Sequence, residues 1–295
     1  MLNDYPKGHF ESSISARRLR DQVIIVVLMA CVVLSLALLM YLCFDLVKLG
    51  YSRLSWNFIS NFASRFPDRA GIYGALVGSC YLLLLTVVIS FPLGISAAIY
   101  FQEFAVPSKR NRLIELNISN LAGVPAVVYG ILGLALYVRW FNFDRSLISG
   151  ALTMSTLILP TIILTSREAL RAVPFSIREA SLALGTTRLQ TTLGHVLPAA
   201  IPSIMTGLIF ALSRAAGEAA PLILAGATLF VSFTPESVFD AFTVLPIQIF
   251  NWAGRPQEEF QELAGAGIIV LLIMLLSANA LAVYIRTRSE RRYRW

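Results

Sequence analysis

In the stretch Phe210 to Gly226, FALSRAAGEAAPLILAG, a cation and an anion, Arg214 and Glu218, stand four residues apart in otherwise apolar surroundings. On a helix that spacing puts both on one face, within reach of each other. A guanidinium presents a fork of N–H donors that fits an oxyanion, and a carboxylate can balance its charge or accept a proton. An arginine at the centre of a bilayer costs about 2.5–3.5 kcal/mol. The pair therefore implies either a polar path through the membrane or a self-neutralising pin between helices, a job that apolar residues do more cheaply. Gly207, Ala211, Ala215 and Gly217 allow neighbouring helices to come close. Pro221 lacks an N–H, which frees the carbonyl of Gly217 and predicts a kink beside the charges. Arg214 and Glu218 are thus the candidate path residues, and Gly217 and Pro221 the candidate kink.

Other chemistry finds little footing. Glu218 as an intramembrane acid or base would want a histidine, a second carboxylate or a metal beside it, and the spans offer none; His9 and His195 lack partners at metal-ligand spacing. Cys31, Cys43 and Cys80 lie inside apolar runs, an odd number that yields neither a disulfide framework nor a metal site. A phosphate-cradling nucleotide loop ends in Gly-Lys-Ser or Gly-Lys-Thr, whereas Lys7, Lys48 and Lys109 precede Gly8, Leu49 and Arg110. No cofactor is expected in this chain, and any ATP hydrolysis belongs to another.

Composition says what must hold these residues. The 295 residues are 57% hydrophobic and only 14% charged, with a mean hydropathy of +0.71, which moves the prior from a soluble domain to an integral membrane protein. Six continuous apolar stretches meet the length of about 20 residues that a membrane helix needs: 23–47, 74–101, 113–138, 146–166, 201–230 and 265–285. They do not alternate as barrel strands would. The first follows Arg17, Arg18 and Arg20 but is too long for a signal peptide and lacks a cleavage motif, so it reads as an anchor. The net charge of +7 is better explained by topology than by nucleic acid: with the N-terminus inside, 16 of the 24 Lys and Arg fall on the cytoplasmic side, among them Arg291, Arg292 and Arg294. Both termini are then cytoplasmic, and a lipid headgroup patch is a secondary use of those cations. Residues 1–22 read as a cytoplasmic tail, 23–72 as the first helix with an interfacial outer segment, 73–285 as a five-helix core, and 286–295 as a basic tail. The outer segment 231–262 is long enough to dip toward the bilayer or cap the bundle. Asn117, Ser119, Asn120, Thr161 and Thr165 suit hydrogen bonds between helices, and Tyr129 and Arg139 are further candidates for lining the outer path.

The segment 167–199, REALRAVPFSIREASLALGTTRLQTTLGHVLPA, is too long for a plain helix–helix connection. Ser176 and Glu179 make a capping-box pattern that predicts a helix from Ile177, Gly185 suits the left-handed residue that ends it, and Thr187 with Gln190 opens a second helix. A helix, a glycine turn and a helix form an element suited to docking.

That segment resembles the cytoplasmic loop signature of ABC importer permeases: Glu-Ala-Ala, three residues, Gly, nine residues, Ile, one residue, Leu-Pro. Here it reads Glu179-Ala180-Ser181, Gly185 and Leu197-Pro198 with the spacing intact, departing at Ser181 and His195. The stretches Asn120 to Gly133, Ser213 to Ile223 and Val244 to Phe260 resemble phosphate-importer permease subunits of the PstA type, with departures at Ala126 and Ala219. The resemblance implies an all-α integral membrane protein with six transmembrane helices and a cytoplasmic helix–turn–helix coupling loop. It implies that Glu179, Ala180, Ser181 and Gly185 couple to a cytoplasmic ABC ATPase present in two copies, which binds the ATP and Mg. A second homologous permease subunit and an extracytoplasmic phosphate-binding protein complete the expected partners. In that setting Arg214 offers its fork to a passing phosphate while Glu218 keeps the anion from being trapped. A permease for sulfate or molybdate is the alternative within transport, and an intramembrane enzyme the alternative outside it.

Overall fold

The computed structural model describes residues 14–228 and 230–290, so the first thirteen residues and the basic residues Arg291, Arg292 and Arg294 lie outside the described part. Every regular element among the described residues is helical. Five helices are long and apolar enough to cross a membrane, and a bent pair makes a sixth span if its two limbs count as one.

Residues 1–48 and 49–295 form separate units. The first contains nearly all of helix α1 (Ile14–Gly50), whose apolar side chains, Leu19 to Val47, are exposed all around. A helix apolar on every side is a membrane span rather than one face of a soluble core. It already includes the end of the expected tail, since it starts at Ile14.

The second unit continues with α2 (Trp56–Ser60) and α3 (Tyr73–Ile99), then α4 (Lys109–Ala122) and α5 (Ala126–Gly133). The pillar is α6 (Leu147–Arg171), which packs against α3, α4 and α5 and against the later helices Leu197–Ala216 and Ala220–Ala225. Gly94 of α3 lies so close to α6 that an added Cβ would sit 2.5 Å from Ile162. After α6 come two short helices, α7 (Phe175–Ala183) and α8 (Arg188–Thr191), then α9 (Leu197–Ala216), α10 (Ala220–Ala225), α11 (Leu245–Ala253) and α12 (Glu258–Glu290).

Two expected spans differ from single straight rods. The run 113–138 is the bent pair, with α4 and the limb Ala126–Trp140 at 103° to each other. Pro125 stands at the corner with φ −56° and ψ 138°, and a proline also pushes the residue before it out of the helical region. Ahead of it, α4 begins before the expected run with Lys109, Arg110 and Arg112 and carries Glu115 within it, so the pair joins a polar limb to an apolar one. The run expected at 201–230 instead begins at Arg188, passes through a widened turn at Thr192–Val196, and stops at Ala216.

The segments expected outside the bundle form its far-end cap. Phe58 of α2 packs against Trp252 of α11, with ring centroids 5.9 Å apart and planes tilted by 39°, inside a cluster with Ile72, Leu245 and Phe260, while Trp56 and Phe66 stay exposed. Arg53 Nε donates to Glu262 at 2.7 Å and its Nη1 to Asp68 at 3.3 Å. Two of the polar residues expected to bond between helices bond within their own: Asn117 donates to Leu113 O and Thr165 to Thr161 O. Each such bond ties the side chain to a backbone carbonyl four residues back in its own helix.

Candidate functional site

Two interruptions of membrane helices meet in the interior of the second unit. In the first, α9 ends as Gly217 N and Glu218 N turn back to the carbonyls of Arg214 and Ala215, three residues earlier. Pro221 cannot bond the Gly217 carbonyl, and the chain restarts as α10 with Pro221 in its first turn. The expected kink at Gly217 and Pro221 is therefore a full break. Gly217 keeps an ordinary helical φ of −91°, so its place does not depend on glycine's left-handed freedom. In the second interruption, the Tyr129 hydroxyl donates to Leu121 O at 2.8 Å across the α4–α5 corner, which makes this buried tyrosine a staple of the bend. The two breaks are packed together: a Cβ on Gly130 of α5 would sit 2.7 Å from Pro221 Cα.

Arg214 thus occupies the last turn of α9 instead of the middle of a continuous span. The change matters energetically. A cation at the carbonyl end of a helix and an anion just before the amide end of the next both face favourable dipoles, so the break tolerates the charges better than a straight helix would. Arg214 Nε lies 3.7 Å from Glu218 Oε1, an ion pair too long for a hydrogen bond. The Arg214 side chain is 47% exposed and that of Glu218 27%. Among the described residues no hydrogen bond ties the Arg214 guanidinium down, and it is open to the surface of this unit. One residue earlier, Ser213 Oγ lies 2.7 Å from Asn279 Oδ1, fastening the end of α9 to α12. Below the charges the small residues do pack: a Cβ on Gly207 would fall 2.3 Å from Thr165 Oγ1 of α6.

The other group of expected site residues lies at the opposite end of this helical rod, roughly 40 Å away at 1.5 Å per residue from Arg188 to Arg214. Glu179, Ala180 and Gly185 are exposed. Gly185 has φ +85° and open space where a Cβ would stand, with no atom within 4 Å, so glycine is needed there for the turn and not for room. Ser181 is buried and does not contribute to an outer face; its hydroxyl bonds Thr186 at 2.8 Å and Thr191 at 3.1 Å, clamping α7 to α8. The capping box at Thr187 and Gln190 forms as expected. The one at Ser176 and Glu179 does not, because α7 starts at Phe175 with Pro174 as its N-cap, two residues earlier, and Glu179 falls in the helix interior. Phe175, Leu182 and Leu184 add exposed apolar area to this loop.

Arg178 was not singled out by the sequence pattern. It joins Glu103 at 2.8 Å and also donates to Val173 O and Leu170 O at 2.7 and 2.9 Å. No local motif could have shown this, since Glu103 is 75 residues away.

Known proteins agree with this architecture. The family model described as binding-protein-dependent transport system inner membrane component matches residues 90–295. The probable ABC transporter permease protein YqgI of Bacillus subtilis (strain 168) is 31% identical over 283 residues, covering 92% of this chain and 96% of that protein. The phosphate transport system permease protein PstA of Yersinia pestis is 31% identical over 268 residues, with 90% of each chain covered. Among solved structures, a chain of a bacterial alginate ABC transporter in complex with an alginate pentasaccharide-bound periplasmic protein superposes with a TM-score of 0.69 at 15% identity, covering 93% of this chain and 97% of that one. A chain of the MetNI methionine ABC transporter gives 0.54 at 18% identity, over 76% and 95%. With paired helix breaks, a protruding two-helix loop and matches of this extent, the chain belongs to the binding-protein-dependent inner membrane component family, as a non-catalytic, multi-pass ABC transporter permease subunit.

Proposed function

We propose that this chain supplies half of the path by which an ATP-driven importer carries inorganic phosphate across a bacterial cytoplasmic membrane, with both termini on the cytoplasmic side. The observation that carries the substrate is the likeness to a phosphate permease along nine tenths of both chains. The chemistry fits it: Arg214 presents an open guanidinium at a break between helices, held only loosely by Glu218. A loosely held fork can bind an oxyanion and release it, whereas a fork locked by its own counter-ion would do neither. Glu218 can also accept a hydrogen bond from the protonated oxygen of hydrogen phosphate, a proton that sulfate lacks near neutral pH.

A second homologous permease subunit would close the path over the exposed face of Arg214. Two cytoplasmic ABC ATPases, which bind the ATP and Mg, would dock on Glu179, Ala180 and Gly185 with the apolar Phe175, Leu182 and Leu184 around them. An extracytoplasmic phosphate-binding protein would deliver the cargo. The far-end cap built on α11 is the surface such a protein would meet.

Another oxyanion is the second reading, favoured by Ala219, one of the two departures from the phosphate-permease pattern, and by a guanidinium's ability to bind any oxyanion. Uptake of labelled phosphate by cells that depend on this transporter, challenged with excess sulfate or molybdate, tests it. Competition by unlabelled phosphate alone is expected; inhibition by sulfate or molybdate would transfer the assignment to that anion.

A further inference from the structure

We infer that Arg178 and Glu103 form the mechanical link by which movement of α7 reaches the membrane helices, so that Arg178 is a positioning residue for transport rather than a docking residue. The inference rests on the reading of α7 as the element that an ATPase moves.

The outer face of α7 points away from the bundle, with Leu184 beyond its end 85% exposed. An open cavity of about 550 Å³ beside α7 is lined by Arg178 and Glu103 together with Gln102, Arg171, Phe175 and Leu182. Ile177 makes apolar contact with the cluster formed by Ala98, Leu170, Val196 and Ile204, and Ser181 binds α8 only. Arg178 lines one wall of that cavity. Its side chain is 13% exposed and that of Glu103 11%, making this the most buried ion pair among the described residues.

The geometry differs from that of a simple salt bridge. The guanidinium meets both carboxylate oxygens of Glu103, Nη2 to Oε1 at 2.8 Å and Nε to Oε2 at 3.3 Å, in the widened last turn that extends α3. Nη1 and Nη2 also donate to the carbonyls of Val173 and Leu170, at the end of α6. One planar group therefore ties α7 to α3 and α6 simultaneously. A fork with five donors in fixed directions can do this, and a lysine ammonium on a flexible stem cannot. The helices it grips are the two that pack most intimately along the bundle, and α6 also packs on both limbs of the broken span and on α10. A displacement of α7 is thereby delivered to the pillar against which both helix breaks rest. With Arg178 removed, α7 keeps its docking face and the apolar contact through Ile177, and loses its hydrogen-bonded tie to α3 and α6.

The test uses the whole reconstituted complex with its ATPase and binding protein, and reads phosphate imported per ATP hydrolysed. R178Q is expected to lower that ratio by about tenfold or more, the scale of a typical coupling free energy, and E103A by about fivefold. The ATPase should still co-purify and hydrolyse ATP in both. R178K should fall between R178Q and wild type, and the exchange E103R/R178E should fail to restore the ratio, because a glutamate cannot donate to the Leu170 and Val173 carbonyls. An unchanged ratio in R178Q and E103A would overturn the proposal, as would full rescue by the exchange or loss of ATPase binding in E103A, where α7 keeps its sequence. A wild-type complex that hydrolyses ATP without importing would instead sink the importer reading itself.

Discussion

Replacing Arg214 with glutamine separates a transport role from a scaffolding one, because the two demand different magnitudes. The Arg214–Glu218 pair spans 3.7 Å and leaves nearly half of the arginine exposed. An ion pair that open contributes about 0–1 kcal/mol, so R214Q should barely alter the melting temperature of the purified complex or the amount of ATPase that accompanies it. The loss in transport should be much larger. A hydrogen bond to a charged group is worth about 1.5–3 kcal/mol, which corresponds to a fall in uptake of roughly ten- to a hundredfold when the fork no longer meets the passing anion. The assay is the initial rate of labelled phosphate entry into proteoliposomes holding the complex, with melting temperature and subunit stoichiometry measured on the same sample. R214K, which keeps the charge and loses the fork, should be intermediate. Uptake at the wild-type rate in R214Q would refute the reasoning. So would an uptake loss matched by equal loss of assembled complex, since the pair would then serve packing.

Glu218→Gln removes the counter-charge; apparent affinity in the same assay should rise while maximal rate falls, and a rise in maximal rate would contradict the proposed role of Glu218 in release. Gly207→Val forces a side chain into the Thr165 hydroxyl of α6, and overpacking of this kind costs about 1–3 kcal/mol, visible as a lower melting temperature of the purified complex. Tyr129→Phe deletes the staple across the α4–α5 corner at about 1 kcal/mol; its destabilisation should be modest, and its uptake should stay close to wild type if the tyrosine serves the bend rather than the path.

Sequence patterns reached the spans because a run of apolar residues long enough to cross lipid has few other uses. They reached Gly185 and the Thr187–Gln190 box because caps are written in adjacent residues. They missed the corner at Pro125, although the proline was in view, because its apolar neighbours kept the average high across the turn. Ser176 and Glu179 misled for a related reason: Pro174, already extended at ψ 140°, started the helix first. The charges in the fifth span were legible as unusual, yet their position at a helix end required knowing where hydrogen bonding stops. Arg178 was beyond reach, since its partner lies on another helix and its carbonyl acceptors carry no side-chain signature.

The right-angled corner in the third span has a consequence for the barrier an ion must cross. The limb Ala126–Trp140 is only about 20 Å long at 1.5 Å per residue, well short of a hydrocarbon layer of about 30 Å. Where this limb serves as the crossing, lipid must thin or headgroups must dip to meet it. Its inner end packs beside the α9–α10 break, so a layer thinned to match this limb would be thinned next to the break that carries Arg214 and Glu218.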